Sequence, residues 1–238
     1  GALEFLYNQI NDLKTPNLDD VIQHYQEYWK KELEEFKTSW EILETRDDMT
    51  IQDYQRKGEF YIKSYFEKNQ PFTDTKVIGT EINLSFDVAE GIFFNGFVDR
   101  LDKVGDTFII NDYKTNKNLP PENKEMYQEQ LNLYAVGVKQ KYGKYFTKLK
   151  AKLHYLHFDI VDEREITDEI IQNIQEKYKN LAEEIDTKKS QFDSDPKNTF
   201  PTNKGSLCRF CAFQMICAVF IHRDMDDEMI SGELKEWT

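Results

Sequence analysis

The residues with the clearest chemical meaning are two aspartates and a lysine in the stretch GFVDRLDKVGDTFIINDYKTNK. Asp99 and Asp112 stand among aromatic and aliphatic residues, and Lys114 follows Asp112 by two positions. Two carboxylates on an apolar surface repel each other and lose hydration, which costs free energy. A hard divalent cation compensates this cost, because Mg²⁺ and Mn²⁺ prefer carboxylate oxygens and retain water molecules for chemistry. The sequence therefore predicts a metal site at Asp99 and Asp112.

Such a set suits hydrolysis of a phosphodiester bond. The metal ion polarises the phosphoryl group and lowers the pKa of a bound water molecule. Lys114, on the same strand face as Asp112, can orient that water or offset charge on a phosphate oxygen. The alternative is a surface ion pair of aspartate and lysine on a solvated strand face, and the apolar neighbours argue against it.

A β-hairpin must bring the two aspartates together. β-Branched and aromatic residues flank the pair Gly105-Asp106, which favours a two-residue turn. With that turn, Asp99 lies directly across from Asp112, with Cβ atoms roughly 4.5–5.5 Å apart. A longer turn would change this register. Alternation along the first strand places on one face Phe93, Asn95, Phe97, Asp99 and Leu101.

The segment LPPENKEMYQEQLNLYAVGVKQKYG predicts a helix after the hairpin. Gln130 and Tyr134 are four residues apart and therefore share one helix face. Side chains of these types could contact a phosphate or the attacking nucleophile. The same spacing is also common among ordinary residues at the edge of a buried helix face.

The remaining elements give the fold class. Helical periodicity covers residues 2–12, 17–38, 50–68 and 166–189, and strand patterns cover 76–86, 91–102, 107–115 and 148–160. This order predicts an α/β fold with a central mixed β-sheet flanked by helices, an N-terminal helical segment and a C-terminal cysteine cluster. The predicted domains are a helical region packed on the core (1–70), the core (71–190) and the cysteine segment with an acidic tail (191–238).

Composition limits the classes of protein. Hydrophobic residues make up 39% of the 238 residues, enough for a packed core. The sequence has no apolar run long enough to span a bilayer and nothing resembling a signal peptide, so we expect a cytoplasmic protein without membrane contact. It also lacks the G-x-x-x-x-G-K-[ST] loop, so any ATP-driven motor must be another chain.

The net charge of −13 argues against a general nucleic-acid binder, but the charge is unevenly distributed. Nine lysines and three glutamates lie between Lys114 and Lys152. This basic segment could follow a phosphate backbone. The alternative is a lysine-rich solvated helix face.

GFVDRLD, INDYKT and QEQLNLY, in this order and spacing, resemble the RecB-type nuclease domain of the PD-(D/E)xK superfamily. That group includes AddB-like recombination exonucleases and CRISPR-associated RecB-like exonucleases. The resemblance implies a restriction-endonuclease-like core and a metal-dependent DNA exonuclease in recombination, repair or a mobile-element pathway. It implies DNA as substrate, Mg²⁺ or Mn²⁺ as cofactor, and a separate helicase or recombination subunit as a partner. The implied metal ligands are Asp99, Asp112 and the backbone carbonyl of Tyr113, and the implied catalytic residues are these aspartates with Lys114, Gln130 and Tyr134.

Cys208, Cys211 and Cys217 resemble the C-terminal part of the iron–sulfur staple of the AddB-like and CRISPR-associated members. A [4Fe–4S] cluster needs four thiolates. In the family, the fourth cysteine and a metal-binding histidine lie further upstream, so we expect the natural chain to extend beyond Gly1. The cluster is then expected in the full-length protein and absent or incomplete in this chain. The alternatives are a Cys₃His zinc site with His222 and three reduced structural thiols.

Two other functions remain open from the sequence. One is a non-catalytic DNA-binding or scaffold module that retains the nuclease fold. The other is a metal-dependent hydrolase of another phosphoester. The pair Asp99 and Asp112 argues against a scaffold, because a purely structural protein gains nothing from opposed carboxylates.

Overall fold

A computed structural model of the chain describes residues 1–36, 49–116, 124–201, 203, 205, 208 and 211–217. The chain divides into two units, Gly1–Leu181 and Ala182–Thr238. None of the helices in the described part has both the length and the apolar character needed to cross a bilayer.

The first unit is built on a five-stranded sheet whose spatial order follows the chain. The strands are β1 (Lys76–Ala89), β2 (Ile92–Val104), β3 (Thr107–Lys114), β4 (Lys148–Tyr155) and β5 (Ile160–Glu165). Neighbouring strands are antiparallel except β3 and β4, which are parallel. A parallel pair needs a crossover connection, and α4 (Lys124–Tyr142) lies in that connection. The predicted mixed sheet flanked by helices is confirmed.

Three helices precede the sheet and two follow β5. They are α1 (Ala2–Asn11), α2 (Leu18–Glu35), α3 (Ile51–Asn69), α5 (Asp168–Gln191) and the short α6 (Pro196–Thr199). Short 3₁₀ turns cover Gly143–Tyr145 and Gln214–Ile216. The predicted helices agree with these bounds closely, although the last two residues of the predicted range 17–38 lie outside the described residues.

Side-chain caps explain where α2 and α3 begin. The Asn17 side chain accepts a hydrogen bond from the backbone N–H of Asp19 at 2.9 Å. Thr50 and Asp53 form a capping box, each side chain accepting from the other residue's backbone N–H. These bonds satisfy amide groups that the first helical turn leaves without partners.

Each face of the sheet has its own hydrophobic core. The core beneath α4 and α5 includes Leu84, Val98, Leu101, Leu131, Val136 and Ile171. The core beneath α1, α2 and α3 includes Leu6, Val21, Ile62, Phe66 and Val77. The sheet is therefore covered on both sides, and the hairpin of β2 and β3 lies between the two cores.

The prediction of one strand over residues 148–160 is wrong. The chain turns between β4 and β5, with Asp159 in the left-handed region at φ 54°. The backbone N–H of Phe158 donates to the Tyr155 carbonyl at 3.0 Å in this turn. The apolar run YLHFDI contains no glycine or proline, so sequence patterning gave no sign of the turn.

Candidate active site

The hairpin of β2 and β3 has the predicted register. A two-residue Gly-Asp turn joins the strands, and the glycine has a positive φ of 55°. The last described pair in the ladder is Arg100 with Asn111. The predicted pair of Asp99 with Asp112 would follow directly after it.

The two carboxylates lie in different surroundings. Asp99 is half-buried, and its Oδ2 accepts a hydrogen bond from the backbone N–H of Tyr113 at 2.8 Å. Burial raises the pKa of Asp99, while this hydrogen bond and the Lys114 charge lower it. Asp112 is only 3% exposed. Burial raises the pKa of Asp112 to about 6, against the opposing effect of Lys114, and the charge of Asp99 adds to the rise.

Lys114 is held beside Asp112 by groups from two elements. Its Nζ lies 2.7 Å from Asp112 Oδ2 and donates to Gln130 Oε1 at 3.0 Å. The same ammonium lies 4.6 Å from the centre of the Tyr127 ring, a cation–π contact. Gln130 Nε2 in turn donates to the Tyr134 hydroxyl at 2.9 Å. The structure therefore brings the predicted lysine, glutamine and tyrosine together with Asp112, and it adds Tyr127, which the sequence analysis missed.

Gly96 explains how Tyr134 can reach the site. A Cβ atom at Gly96 would lie 2.6 Å from a carbon of the Tyr134 ring, much closer than real contacts allow. The ring therefore lies directly against the backbone of β2. The glycine in GFVDRLD is needed for this close approach, because any larger residue would displace the tyrosine.

The predicted common face of β2 is wrong. Phe93 and Phe97 are 74% and 53% exposed, whereas Leu101 is fully buried. The described pairs between β1 and β2 pass over Glu81 and Asp99, and Glu81 has a positive φ of 46°. Val98 and Leu101 both pack in the core beneath α4, so the alternation of side chains along β2 changes between them. Asp99 therefore lies at the shift rather than on a regular strand face.

A cleft of about 430 Å³ opens beside Asp99. Arg100, Tyr113 and Thr115 line it from the hairpin side. The first three helices contribute aromatic side chains to its other walls, among them Tyr7, Tyr25, Tyr28 and Tyr61. The site is therefore open on the side of these helices, while α4 closes the side of Lys114.

The carboxylates fit a divalent cation. Asp112 Oδ2 is buried and accepts no hydrogen bond of good geometry. Among the described residues, the only cation close to it is the Lys114 ammonium. A metal ion would supply the missing charge compensation for both aspartates. Among the described residues, no group of three or more His, Cys, Asp or Glu side chains is arranged to hold a metal. The side-chain ligands available here are therefore Asp99 and Asp112, and the carbonyl of Tyr113 stays the predicted third.

The three cysteines do not form such a group either. Cys208 and Cys217 are half-buried, Cys211 is exposed, and all three are free thiols. Cys208 Sγ accepts a hydrogen bond from the backbone N–H of Gly205 at 3.3 Å. The structure gives no support to the iron–sulfur cluster, which stays a prediction. His222, the alternative zinc ligand, lies outside the described residues.

Several lysines of the basic segment have acidic partners. Lys150 and Lys152 both lie near Glu163, at 2.6 and 3.0 Å, and Lys139 pairs with Asp168. Burial is slight at these positions, so each pair contributes little to stability. The pairs nevertheless reduce the positive charge that this segment could offer to a phosphate backbone.

Comparisons with known proteins identify one family and solved structures of low sequence identity. The profile of the PD-(D/E)XK nuclease superfamily matches residues 2–218. Among solved structures, a candidate exonuclease from Eubacterium rectale is 11% identical, with 89% of this chain and 76% of that chain covered and a TM-score of 0.42. SSO0001 is 16% identical, with 81% of each chain covered and a TM-score of 0.37. No curated protein matches the sequence.

Proposed function

The chain belongs to the PD-(D/E)XK nuclease superfamily, and we propose that it is a divalent-metal-dependent deoxyribonuclease that digests DNA from its ends. Members of this superfamily generally use Mg²⁺ or Mn²⁺. The observation that carries the proposal is the convergence of Asp99, Asp112 and Lys114 just beyond the last pair of the β2–β3 ladder. We further propose a role in recombination, repair or a mobile-element pathway, with any helicase on a separate chain.

Asp99, Asp112 and the Tyr113 carbonyl would hold the metal ion. When bound, it polarises the phosphoryl group and lowers the pKa of a water molecule. Lys114 is held by Asp112, Gln130 and the Tyr127 ring, so its ammonium has little freedom to move away. An ammonium fixed in advance stabilises charge that develops on a phosphate oxygen better than a mobile one does.

The α4 side chains orient a second donor. Gln130 uses its carbonyl oxygen for Lys114 and its amide N–H for the Tyr134 oxygen. The Tyr134 hydroxyl therefore accepts from Gln130, and its own proton remains available to a substrate. We propose that the Tyr134 hydroxyl donates a hydrogen bond to a phosphate oxygen next to the scissile bond.

The cleft beside Asp99 supports a nucleic-acid substrate. Tyr28 is 45% exposed and offers a face on which a base can stack, and stacking accepts any base. A phosphoester without bases would gain nothing from this ring. This favours a polymer over another phosphoester, and the resemblance of the hairpin and helix motifs favours DNA.

A non-catalytic scaffold is the alternative, and Asp112 argues against it. Its carboxylate is buried and lies next to Asp99, and both burial and that neighbour raise its pKa. Asparagine would fill the same volume without this cost. A protein that only binds DNA has no use for the charge.

The proposal is tested with linear and circular single-stranded DNA in the presence of Mg²⁺ or Mn²⁺. We expect release of nucleotides from the linear form only, because a circle has no ends. Lys114→Ala should lower the single-turnover rate constant by about 100-fold or more, while DNA affinity measured with Ca²⁺ changes less than about threefold. Lys103→Ala is the matched control, because this lysine of β2 donates to the Tyr145 carbonyl instead.

DNA binding without cleavage of either form would favour the scaffold. Cleavage of the circle would contradict digestion from ends. An equal loss of affinity and rate in Lys114→Ala would remove the lysine from the chemical step.

A further inference from the structure

The positions of Asp99 and Asp112 depend on the residues that flank them in the ladder. Arg100 and Asn111 form the pair next to the two carboxylates. Both are almost fully buried. Their side chains are polar, where a regular sheet core would have aliphatic ones.

These side chains belong to a hydrogen-bonded network across three strands. Arg100 Nε donates to Asp102 Oδ2 at 3.0 Å, and Arg100 Nη2 lies 2.9 Å from the same oxygen. Asn111 Nδ2 donates to this oxygen at 2.9 Å, and Asn111 Oδ1 lies 2.9 Å from His154 Nε2 on β4. The network therefore connects the strand of Asp99 with the strand of Asp112.

Arg100 extends the network to the first and third helices. Its guanidinium carbon lies 3.7 Å from the centre of the Tyr7 ring, and Nη1 donates to the Tyr65 hydroxyl at 2.9 Å. The Tyr65 hydroxyl also lies 2.6 Å from the Tyr7 hydroxyl and 3.2 Å from the Tyr113 hydroxyl. Tyr65 is the point where α3, α1 and the hairpin meet.

Tyr113 closes the connection to the site. It stands between Asp112 and Lys114, and its backbone N–H holds Asp99. A shift of the Tyr113 side chain would move this N–H. The distance between the two carboxylates therefore depends on where Tyr65 and Arg100 hold the Tyr113 ring.

Stability alone does not account for the network. A buried ion pair is often no more stabilising than apolar residues of the same volume. Asp102 Oδ1 is buried without a hydrogen-bond partner in the described residues, which adds to the cost. Burial and the Arg100 charge lower the pKa of His154 to about 3, so the histidine is neutral in the working pH range and is no pH switch. The remaining explanation is that the network fixes the positions of the residues it connects.

We propose that Arg100 and Tyr65 are positioning residues for the metal site. They hold Tyr113, and through it the spacing of Asp99 and Asp112, without contacting the metal. This inference rests on the proposed function, since it assigns a purpose to the same pair of carboxylates. Outer residues of this kind typically change metal affinity or activity by about 10–100-fold.

The test compares Tyr65 with a tyrosine that lies outside both the network and the cleft. Tyr65→Phe removes the hydroxyl that joins Arg100 to Tyr113 and leaves the ring in place. Tyr178→Phe is the control, because its hydroxyl donates to Glu129 Oε1 at 2.8 Å and its ring packs against the core beneath α4 and α5. Mn²⁺ affinity is measured by calorimetry without DNA, and kcat and KM are measured with linear DNA.

We expect Tyr65→Phe to weaken Mn²⁺ binding about tenfold and to lower kcat about tenfold with KM unchanged. Tyr178→Phe should change each value less than about twofold. Arg100→Lys keeps the charge but loses the forked donor, and it should behave like Tyr65→Phe. The double variant Asp99→Asn with Asp112→Asn shows which Mn²⁺ signal belongs to this site.

Equal effects of Tyr65→Phe and Tyr178→Phe would overturn the inference, and so would unchanged Mn²⁺ affinity in Tyr65→Phe. Absence of Mn²⁺ binding at the two aspartates would overturn it as well. If the wild type binds Mn²⁺ there but cleaves no DNA, the proposed function fails, and the Mn²⁺ affinities alone decide the inference.

Discussion

Asp112 gives the protein a pH dependence that can be predicted with its sign. Burial raises the pKa of its carboxyl group from 3.8 to about 6 in the folded chain. The folded state therefore holds the proton more tightly than the unfolded state does. The favourable contribution of this group is complete below pH 3.8 and is lost as pH rises through about 6.

Replacing Asp112 with asparagine removes the charge and keeps the shape. The difference between 3.8 and about 6 corresponds to about 3 kcal/mol at neutral pH. We therefore expect Asp112→Asn to stabilise the metal-free protein at pH 7.5 by up to about 3 kcal/mol, or roughly 6–12 °C in Tm for a chain of this size. At pH 4 the gain should fall below about 1 kcal/mol, because the folded wild type is already protonated there.

The assay is thermal unfolding in a chelator at pH 4, 5, 6 and 7.5, comparing variant and wild type at each pH. Asp106→Asn is the matched control, since this aspartate lies exposed in the turn of the same hairpin. The control should show no gain that depends on pH. If Asp112→Asn is less stable than the wild type at pH 7.5, the ion pair with Lys114 outweighs burial and the reasoning is refuted.

Two further predictions concern Tyr134 and the basic segment. Gly96→Ala should cost about 1–3 kcal/mol of stability and slow cleavage about tenfold by displacing Tyr134, whereas Gly143→Ala, where the nearest atom is 3.7 Å from the new Cβ, should be neutral in both assays. Changing Lys139, Lys150 and Lys152 together to alanine should alter DNA affinity less than about threefold, because acidic partners already offset these charges. A fall of about three in the slope of log affinity against log salt would instead show three direct phosphate contacts.

Local rules were enough to predict part of the site. The Gly-Asp pair fixes a two-residue turn, and the turn fixes the register of the hairpin as far as Arg100 and Asn111, the pair next to the two aspartates. The helical repeat places Gln130 and Tyr134 on one face, and the structure connects them by a hydrogen bond of 2.9 Å. Both predictions depend only on residues that are close together in the sequence.

The supporting network could not be predicted in this way. Tyr65, Arg100 and His154 come from three distant segments and meet only after the sheet and α3 have packed together. The sequence does show a weaker sign of it. Arginine and asparagine in the strands of an otherwise apolar hairpin are unusual, and buried polar residues are normally paired with each other. That sign indicates a network but not its partners.

The change of side-chain alternation in β2 determines where Asp99 and its supporting residue Arg100 lie. Regular alternation would place Val98 and Leu101 on opposite faces of β2, yet both pack in the core beneath α4. The shift between them leaves Asp99 and Arg100, two adjacent residues, both outside that core.

Asp99 can therefore line the open cleft while Arg100 stacks on Tyr7 of α1, on the side of the sheet away from α4. In a regular strand these two side chains would point to opposite faces, and one of them would enter the core beneath α4. Two neighbouring residues thus place the predicted metal ligand and its supporting guanidinium on the same side of the sheet.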